Sequence, residues 1–283
     1  MSLLFGCMCN DPAQLACALN EVRAALVDNV SAGWGLAFYQ GGEPLLRRQP
    51  QPHGGPLDFS SLLQELHSDY IVGHVRDPGY KQKLENTQPF RFRAWIWAQR
   101  GHVLPPAEFA AIEGDLLAGV PDFFRRNIRG ASDAERLFYL FLSFLHDTGS
   151  LDDPNLKVVD VAAALGGTLE LVARHTLGAA PQLDLVVTNG RLLMGVRRGL
   201  PMAIHKVNGI KDCARCRLAE QQAGMSASDR HRIAHERLRS VLLLSHAAEI
   251  LAQHPGVELV PEDTIVGVSR DLTTSLHPLT PPV

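Results

Sequence analysis

The order of strand-like and helix-like patterns along the chain is the strongest constraint on its fold. Strand patterns come first, helical patterns occupy the middle, and strand patterns return. The early strands read as 33–40, 44–48, 70–76 and 92–98, with Gly41-Gly42 as the turn between the first two. Trp95 and Trp97 alternate on one face of the last. Helices are predicted at 58–66, 106–118, 133–146 and 158–175; Ser61/Gln64 and Ser132/Glu135 are spaced as capping boxes. Strands resume at 182–188 and 191–196 around Asn189-Gly190, a hairpin signal, and at 203–207. A polar helix at 226–240 and strands at 241–245, 257–260 and 264–269 complete the pattern. Segregated strands and helices predict an α+β layered sandwich, because a parallel βαβ sheet would place a helix between successive strands. The stretch 49–56 reads as a loop and 277–283 as an extended, Pro-rich tail.

Hydrophobic residues make up 46% of the 283 positions, enough for a substantial core in a single domain spanning 1–283. The formal charge of −3 gives no reason to expect nucleic acid or an anionic membrane as a partner. No apolar run reaches the roughly 18 residues of a membrane span. The N-terminus lacks a basic n-region, and five cysteines is an odd number, which argues against a secreted disulfide framework. These features imply a cytoplasmic protein.

Four segments, in order, carry a resemblance: Met1-Ser-Leu-Leu-Phe-Gly6; Gly33-Trp34-Gly35-Leu-Ala-Phe-Tyr39; Gly73-His74-Val75-Arg76 with Glu85-Asn86-Thr87-Gln88-Pro89-Phe90; and Trp97-Ala98-Gln99-Arg100-Gly101. Together they resemble the stand-alone class II glutamine amidotransferases, including those of ergothioneine biosynthesis. The match covers about the first 135 residues, and it speaks more strongly for fold than for activity. The resemblance implies a four-layer αββα sandwich, the fold of the N-terminal-nucleophile (Ntn) hydrolases. In that family the residue after the initiator Met is a cysteine nucleophile, and its free α-amine is the general base.

Carried over by position, Arg76 matches the Arg that binds the substrate carboxylate, and His74 matches the His two residues before it. Gly101 matches the oxyanion-hole glycine, and Asp133 matches the Asp that binds the substrate amine. A helix-start Asp also serves the macrodipole, so a capping role for Asp133 stands beside the ligand role. Four positions depart. Ser2 stands where the family has cysteine, Arg100 where it has the oxyanion Asn, and Gln99 where it has the preceding His. Gln88 also replaces a family His.

These departures leave two main readings. In one, the chain is a catalytically silent subunit that binds a small carboxylate-bearing amide or glutamine-like ligand, or pairs with a catalytic paralogue. In the other, Ser2 is an active nucleophile, its hydroxyl activated by its own amine, cleaving a γ-glutamyl-type amide with Gly101 and Arg100 at the oxyanion. An engineered Cys-to-Ser exchange would not explain Gln88, Gln99 and Arg100. No synthase domain is evident, so use of released ammonia would need another chain. Cys7 and Cys9 read as buried residues of a first strand.

A second pattern is independent of the family. Cys213-Ala-Arg-Cys216 is followed after 14 residues by His231 and His235, a C-x₂-C…H-x₃-H spacing that points to a structural zinc site within 211–237. The competing reading is a solvated helix face, since Arg230, Arg232, Glu236 and Arg237 surround the two histidines. No organic cofactor is expected.

Overall fold

The computed structural model describes residues 2–20, 33–50, 66–76, 83–176, 181–213, 215–216, 226–247 and 256–279. The helix predicted at 58–66 lies outside these residues, Leu66 apart. The strands are β1 (Leu3–Cys9), β2 (Trp34–Gln40), β3 (Glu43–Gln49), β4 (Tyr70–Val75), β5 (Phe90–Phe92), β6 (Trp95–His102), β7 (Gln182–Thr188), β8 (Leu193–Arg198), β9 (Met202–Asn208), β10 (Arg239–Ser245), β11 (Val257–Leu259), β12 (Thr264–Val268) and β13 (Thr274–Pro278). The helices are α1 (Leu15–Asn20), α2 (Pro106–Leu116), α3 (Asp122–Arg125), α4 (Asp133–Asp147), α5 (Val158–His175) and α6 (Ser226–Arg237).

One sheet runs β11-β9-β10-β1-β4-β2-β3 and the other β13-β12-β8-β7-β6-β5. Neighbouring strands pair antiparallel in both. Each strand alternates its side chains between two faces, and both faces of the central strands are covered. On β1, Leu4 and Met8 face the second sheet, while Phe5, Cys7 and Cys9 face α1. On β6, Ile96 and Ala98 face the first sheet, while Trp95 and Trp97 face the helices. Sheets therefore form the two inner layers, and helices cover both outer faces. This is the α+β sandwich that the pattern of strands and helices predicts, in the αββα form that the family resemblance implies.

Helix α4 shows how the outer layer is built. Its apolar positions Leu137, Phe138, Phe141, Leu142 and Leu145 recur at helical spacing and are buried with Trp95 and Trp97. The Trp97 ring lies 5.9 Å from that of Phe138 and 5.6 Å from that of Phe141. At the N-terminus the Ser132 hydroxyl accepts from the Glu135 amide at 3.3 Å. The expected return contact is replaced: the Glu135 carboxylate accepts instead from the Arg129 and Gly130 amides, at 2.9 and 2.7 Å. Half of the capping box forms, and the other half anchors the preceding loop.

Other boundaries move for identifiable reasons. The polar helix ends at Arg237, not 240, because Leu238 is buried and 239–245 pairs with both β1 and β9. The predicted strand at 92–98 is two strands, β5 and β6, joined by a turn at Arg93 with positive φ. The Asn189-Gly190 hairpin forms with a longer loop. The Asn189 carboxamide oxygen accepts from the Arg191 and Leu192 amides, each at 3.0 Å, so pairing resumes only at Leu193. The extended tail begins earlier than 277, as edge strand β13.

The inner faces approach closely where glycine sits. A Cβ on Gly6 would stand 2.5 Å from Val186 Cγ1, and one on Gly195 would stand 2.7 Å from Leu243 Cδ1. Replacing Gly6 by Val should force the sheets apart locally, at a cost of about 1–3 kcal/mol in unfolding free energy. Urea melts of Gly6→Val would measure it; an unchanged midpoint would mean that the interlayer has room to spare.

Candidate functional site

Strand parity assembles the site. Ser2 extends the inward row of Leu4 and Met8, and His74 and Arg76 extend that of Tyr70 and Val72. Arg100 continues the inward row of Ile96 and Ala98 from the opposite sheet. At this end of the sandwich Ser2, His74, Arg76 and Arg100 line one cavity of about 270 Å³, together with Gln88, Gln99, Gly101, His102 and Leu200. Five of the six positions singled out for catalysis or substrate binding thus share one pocket.

Arg100 points at Ser2. Its Nε donates to the Ser2 hydroxyl oxygen at 3.3 Å, and its Nη1 donates to Ser245 Oγ at 3.0 Å and to the His246 carbonyl at 3.3 Å. Ser245 Oγ in turn donates to Asp184 Oδ2 at 2.6 Å, and Asp184 Oδ1 accepts from the Arg198 amide at 3.1 Å. Asp184 stands opposite Arg100 in the β6–β7 register and is fully buried. Burial pushes its carboxyl up to about 7, against the opposing pull of Ser245, the Arg198 amide and Arg100. Ser245 and Asp184 escape a reading of the sequence for family positions. The available signal is an acid in an inward register position of an otherwise apolar strand, Gln-Leu-Asp-Leu-Val-Val-Thr.

Gly101 adopts φ +84, and a Cβ there would lie 2.1 Å from the Gln182 carbonyl, so only glycine fits. The replacements Gln88 and Gln99 bond to each other's segments. Gln88 Nε2 donates to the Gln99 carbonyl at 2.9 Å, and the Gln99 amide donates to Gln88 Oε1 at 2.5 Å. This pairing fastens the Gln88 loop to β6. Asp133 does not line the cavity. Its carboxylate accepts from the Val103 amide at 2.8 Å, the Ala134 amide at 2.9 Å and Gln99 Nε2 at 3.4 Å. It also lies 3.8 Å from His102 Nδ1 and raises that imidazole above its ordinary value. The wall of the cavity carries two guanidinium groups, Arg76 and Arg100, beside the imidazoles of His74 and His102, while Asp133 and Asp184 lie outside the lining.

A second cluster lies on the outer face of the first sheet. Cys17, Cys213, Cys216 and His235 bring one ligand atom each to within 4.8 Å of one another. This corrects the zinc spacing read from the sequence, where His231 was the fourth member. His231 uses its carbonyl to accept from His235 Nδ1 at 2.8 Å, and its ring packs edge-on against that of His235 at 4.8 Å. Cys17 of α1 takes its place, with Sγ 3.3 Å from His235 Nε2 and 3.5 Å from Cys216 Sγ. Burial, with the neighbouring thiols, pushes Cys17 up to about 12. Cys7 and Cys9 face α1, away from the cavity, and burial pushes Cys9 up to about 12.

Fold and cavity together define an N-terminal-nucleophile type of domain, with the second residue at the head of a central strand. The profile of the class-II glutamine amidotransferases matches residues 1–222. The chain belongs to that family. It is similar to a Haemophilus influenzae protein named as a glutamine amidotransferase, 22% identical over 204 residues, or 69% of this chain and 62% of that one. It is also similar to the gamma-glutamyl-hercynylcysteine sulfoxide hydrolase of Mycobacterium tuberculosis, 33% identical over 94 residues, or 30% of this chain and 40% of that one. The matches thus span less than two thirds of the length of these relatives. Among solved structures, a glutamine aminotransferase class-II domain protein from Silicibacter pomeroyi superposes with a TM-score of 0.57 at 14% identity, over 99% of this chain and 100% of that one. The glutamine phosphoribosylpyrophosphate amidotransferase of Bacillus subtilis gives 0.55 at 12% identity, over 98% of this chain and 49% of that one. These likenesses establish the fold. No helix among the described residues is long and apolar enough to cross a membrane.

The buried acid has a consequence for stability. Asp184 is held at about 7 in the folded protein, against about 3.9 for an unfolded chain. Between those values the folded state holds the extra proton, so this contribution is complete below pH 4 and is lost as pH rises through 7. Asp184→Asn cannot ionise. Urea unfolding at pH 5 and pH 8 should show the variant gaining on the parent by about 2–3 kcal/mol over that interval. Parallel pH profiles would mean that Asp184 is ionised throughout.

Proposed function

We propose that this chain is a catalytically silent member of its family that holds a small carboxylate-bearing amide or glutamine-like ligand in the Ser2 cavity, and serves as the partner of a catalytic paralogue or a synthase. The observation that carries this reading is the guanidinium of Arg100 resting on the Ser2 hydroxyl. A nucleophilic oxygen must aim a lone pair at a carbonyl and pass its proton to a base. Here an N–H of Arg100 donates into the hydroxyl oxygen, and a guanidinium is always protonated and takes no proton. Bonds to Ser245 and the His246 carbonyl hold the side chain in that position. Serine is also a weaker nucleophile than the thiol that the family resemblance implies.

The same geometry suits binding. Arg76 and Arg100 bring two guanidinium groups to one small cavity, a setting that favours a carboxylate through charge-assisted, forked hydrogen bonds. Asp133 supports the wall from behind through His102 and Val103, a positioning role. The mixed surface charge and five free thiols support a cytoplasmic setting without nucleic-acid or membrane partners. One observation favours the active alternative: Arg100 and Gly101, the positions of the oxyanion donors in the family resemblance, line the same cavity as Ser2.

Intact-mass analysis after incubation with a diazoketone analogue of glutamine separates the two. We expect no adduct on Ser2. Calorimetry should show binding of L-glutamine or L-glutamate that Arg76→Ala weakens at least about tenfold, or 1.4 kcal/mol. A stoichiometric adduct on Ser2, with Met1 removed, would establish the nucleophile reading instead. Absence of binding, or binding indifferent to Arg76→Ala, would overturn the ligand assignment.

A further inference from the structure

We infer that Cys17, Cys213, Cys216 and His235 form a structural zinc site, one that ties α1 and α6 to the outer face of the first sheet. The four donors come from three separate stretches of chain, and Cys17 and Cys216 are 199 residues apart in sequence. Three of the side chains are almost wholly buried, and Cys216 is partly so. A tetrahedral zinc with Zn–S near 2.3 Å and Zn–N near 2.0 Å sets its sulfurs roughly 3.8 Å apart and each sulfur roughly 3.5 Å from the nitrogen. The 3.5 Å between Cys17 and Cys216 Sγ and the 3.3 Å from Cys17 Sγ to His235 Nε2 come within about 0.3 Å of those edges.

The surroundings also suit zinc. A carbonyl oxygen can only accept, so its contact with His235 Nδ1 makes that nitrogen the protonated one and leaves the Nε2 lone pair facing the thiols. The Cys216 amide donates to the Cys213 carbonyl at 3.1 Å, a tight turn that presents both sulfurs on one side. On binding, each of three thiols gives up a proton to solvent and zinc keeps its oxidation state. The filled site carries one net negative charge, and Arg215 Nη1 lies 3.6 Å from Cys17 Sγ to offset it. Four protein ligands leave no open position, the mark of a structural rather than a catalytic ion. The cluster sits at the Cys9/Ser240 end of the β1–β10 pair, and Ser2 and Ser245 sit at the other. This assignment therefore stands or falls separately from the function proposed for the cavity.

Metal analysis of the full chain, purified without chelator from zinc-supplemented cells, should give about one zinc per chain. His231→Ala should keep it, which separates this ligand set from the spacing read in sequence. Cys17→Ser and His235→Ala should lower it to below about 0.2 per chain. If those variants do not fold, the unaltered protein decides: exchange with cobalt should give the intense visible bands of a tetrahedral thiolate site, and a strong chelator should lower the melting temperature. Less than about 0.1 metal per chain would overturn the assignment. So would a Cys17–Cys216 disulfide seen by non-reducing mass analysis, or equal zinc loss in His231→Ala.

Discussion

The contact between the two inner faces of the sandwich governs the rest of the molecule. Its side chains are mostly aliphatic, with Tyr39 and Tyr70 among them, and glycines at 6 and 195 let opposing residues sit where a Cβ would otherwise be. Once the sheets meet in this way, the register of the central strands is fixed, because a one-residue slip would exchange their inward and outward side chains. That requirement, not any local preference, brings Ser2, Arg76, Arg100 and Asp184 to one end of the sandwich. Gly35 extends the same logic. Its missing Cβ would lie 2.1 Å from the Gln88 carbonyl, so the loop forming one wall of the cavity rests directly on β2.

Within that frame Arg100 determines the character of the site. A guanidinium brought between two sheets needs acceptors, and β10 supplies them through Ser245 and the His246 carbonyl. The carboxyl of Asp184 lies behind Ser245 and is pushed toward neutral pH by burial, so it balances Arg100 incompletely. Positive character thus remains at the cavity and is joined by Arg76. The family resemblance implies a neutral amide at position 100, one that can stabilise an oxyanion without committing charge beforehand. A permanent cation at the same position attracts an anion in the ground state. Binding that is as strong before the reaction as during it does not accelerate chemistry.

Much of this was legible in the sequence, and the failures share a cause. Alternation and helical spacing located most of the described elements, and the four ordered segments identified the fold, because these signals are local. Arg76, His74, Gly101, Arg100 and Ser2 were found through motif position, and strand parity carries them into one cavity. Asp184, Ser245 and Cys17 were missed because their significance lies in partners 61 and 218 residues away. The spacing points to His231 and leaves Cys17 unseen for the same reason. A spacing rule sees only neighbours along the chain, whereas the helix turn sets the His231 carbonyl on His235 Nδ1 and leaves the His231 ring outside the four-donor cluster. The edge strand β13 escaped because its pattern is half polar, as an edge against solvent permits.

The two outer layers solve the same packing problem with different means. On the second sheet, α4 and α5 present long apolar rows and bury them against Trp95, Trp97 and the strands beneath. On the first sheet, α1 is six residues long, and the large apolar side chain described on α6, Ile233, is 39% exposed. Leu15, Leu19 and Leu238 contribute apolar area, but the centre of this layer is sulfur and imidazole. Buried polar groups with few protein partners stabilise little by themselves. An ion that satisfies all four at once would convert that deficit into a tie between α1, which follows β1, and α6, which precedes β10. Those two strands end at Ser2 and Ser245, roughly 20 Å away along seven residues at about 3.3 Å each. A tie there would reinforce, at one end of the pair, a register that the packed sheets already fix.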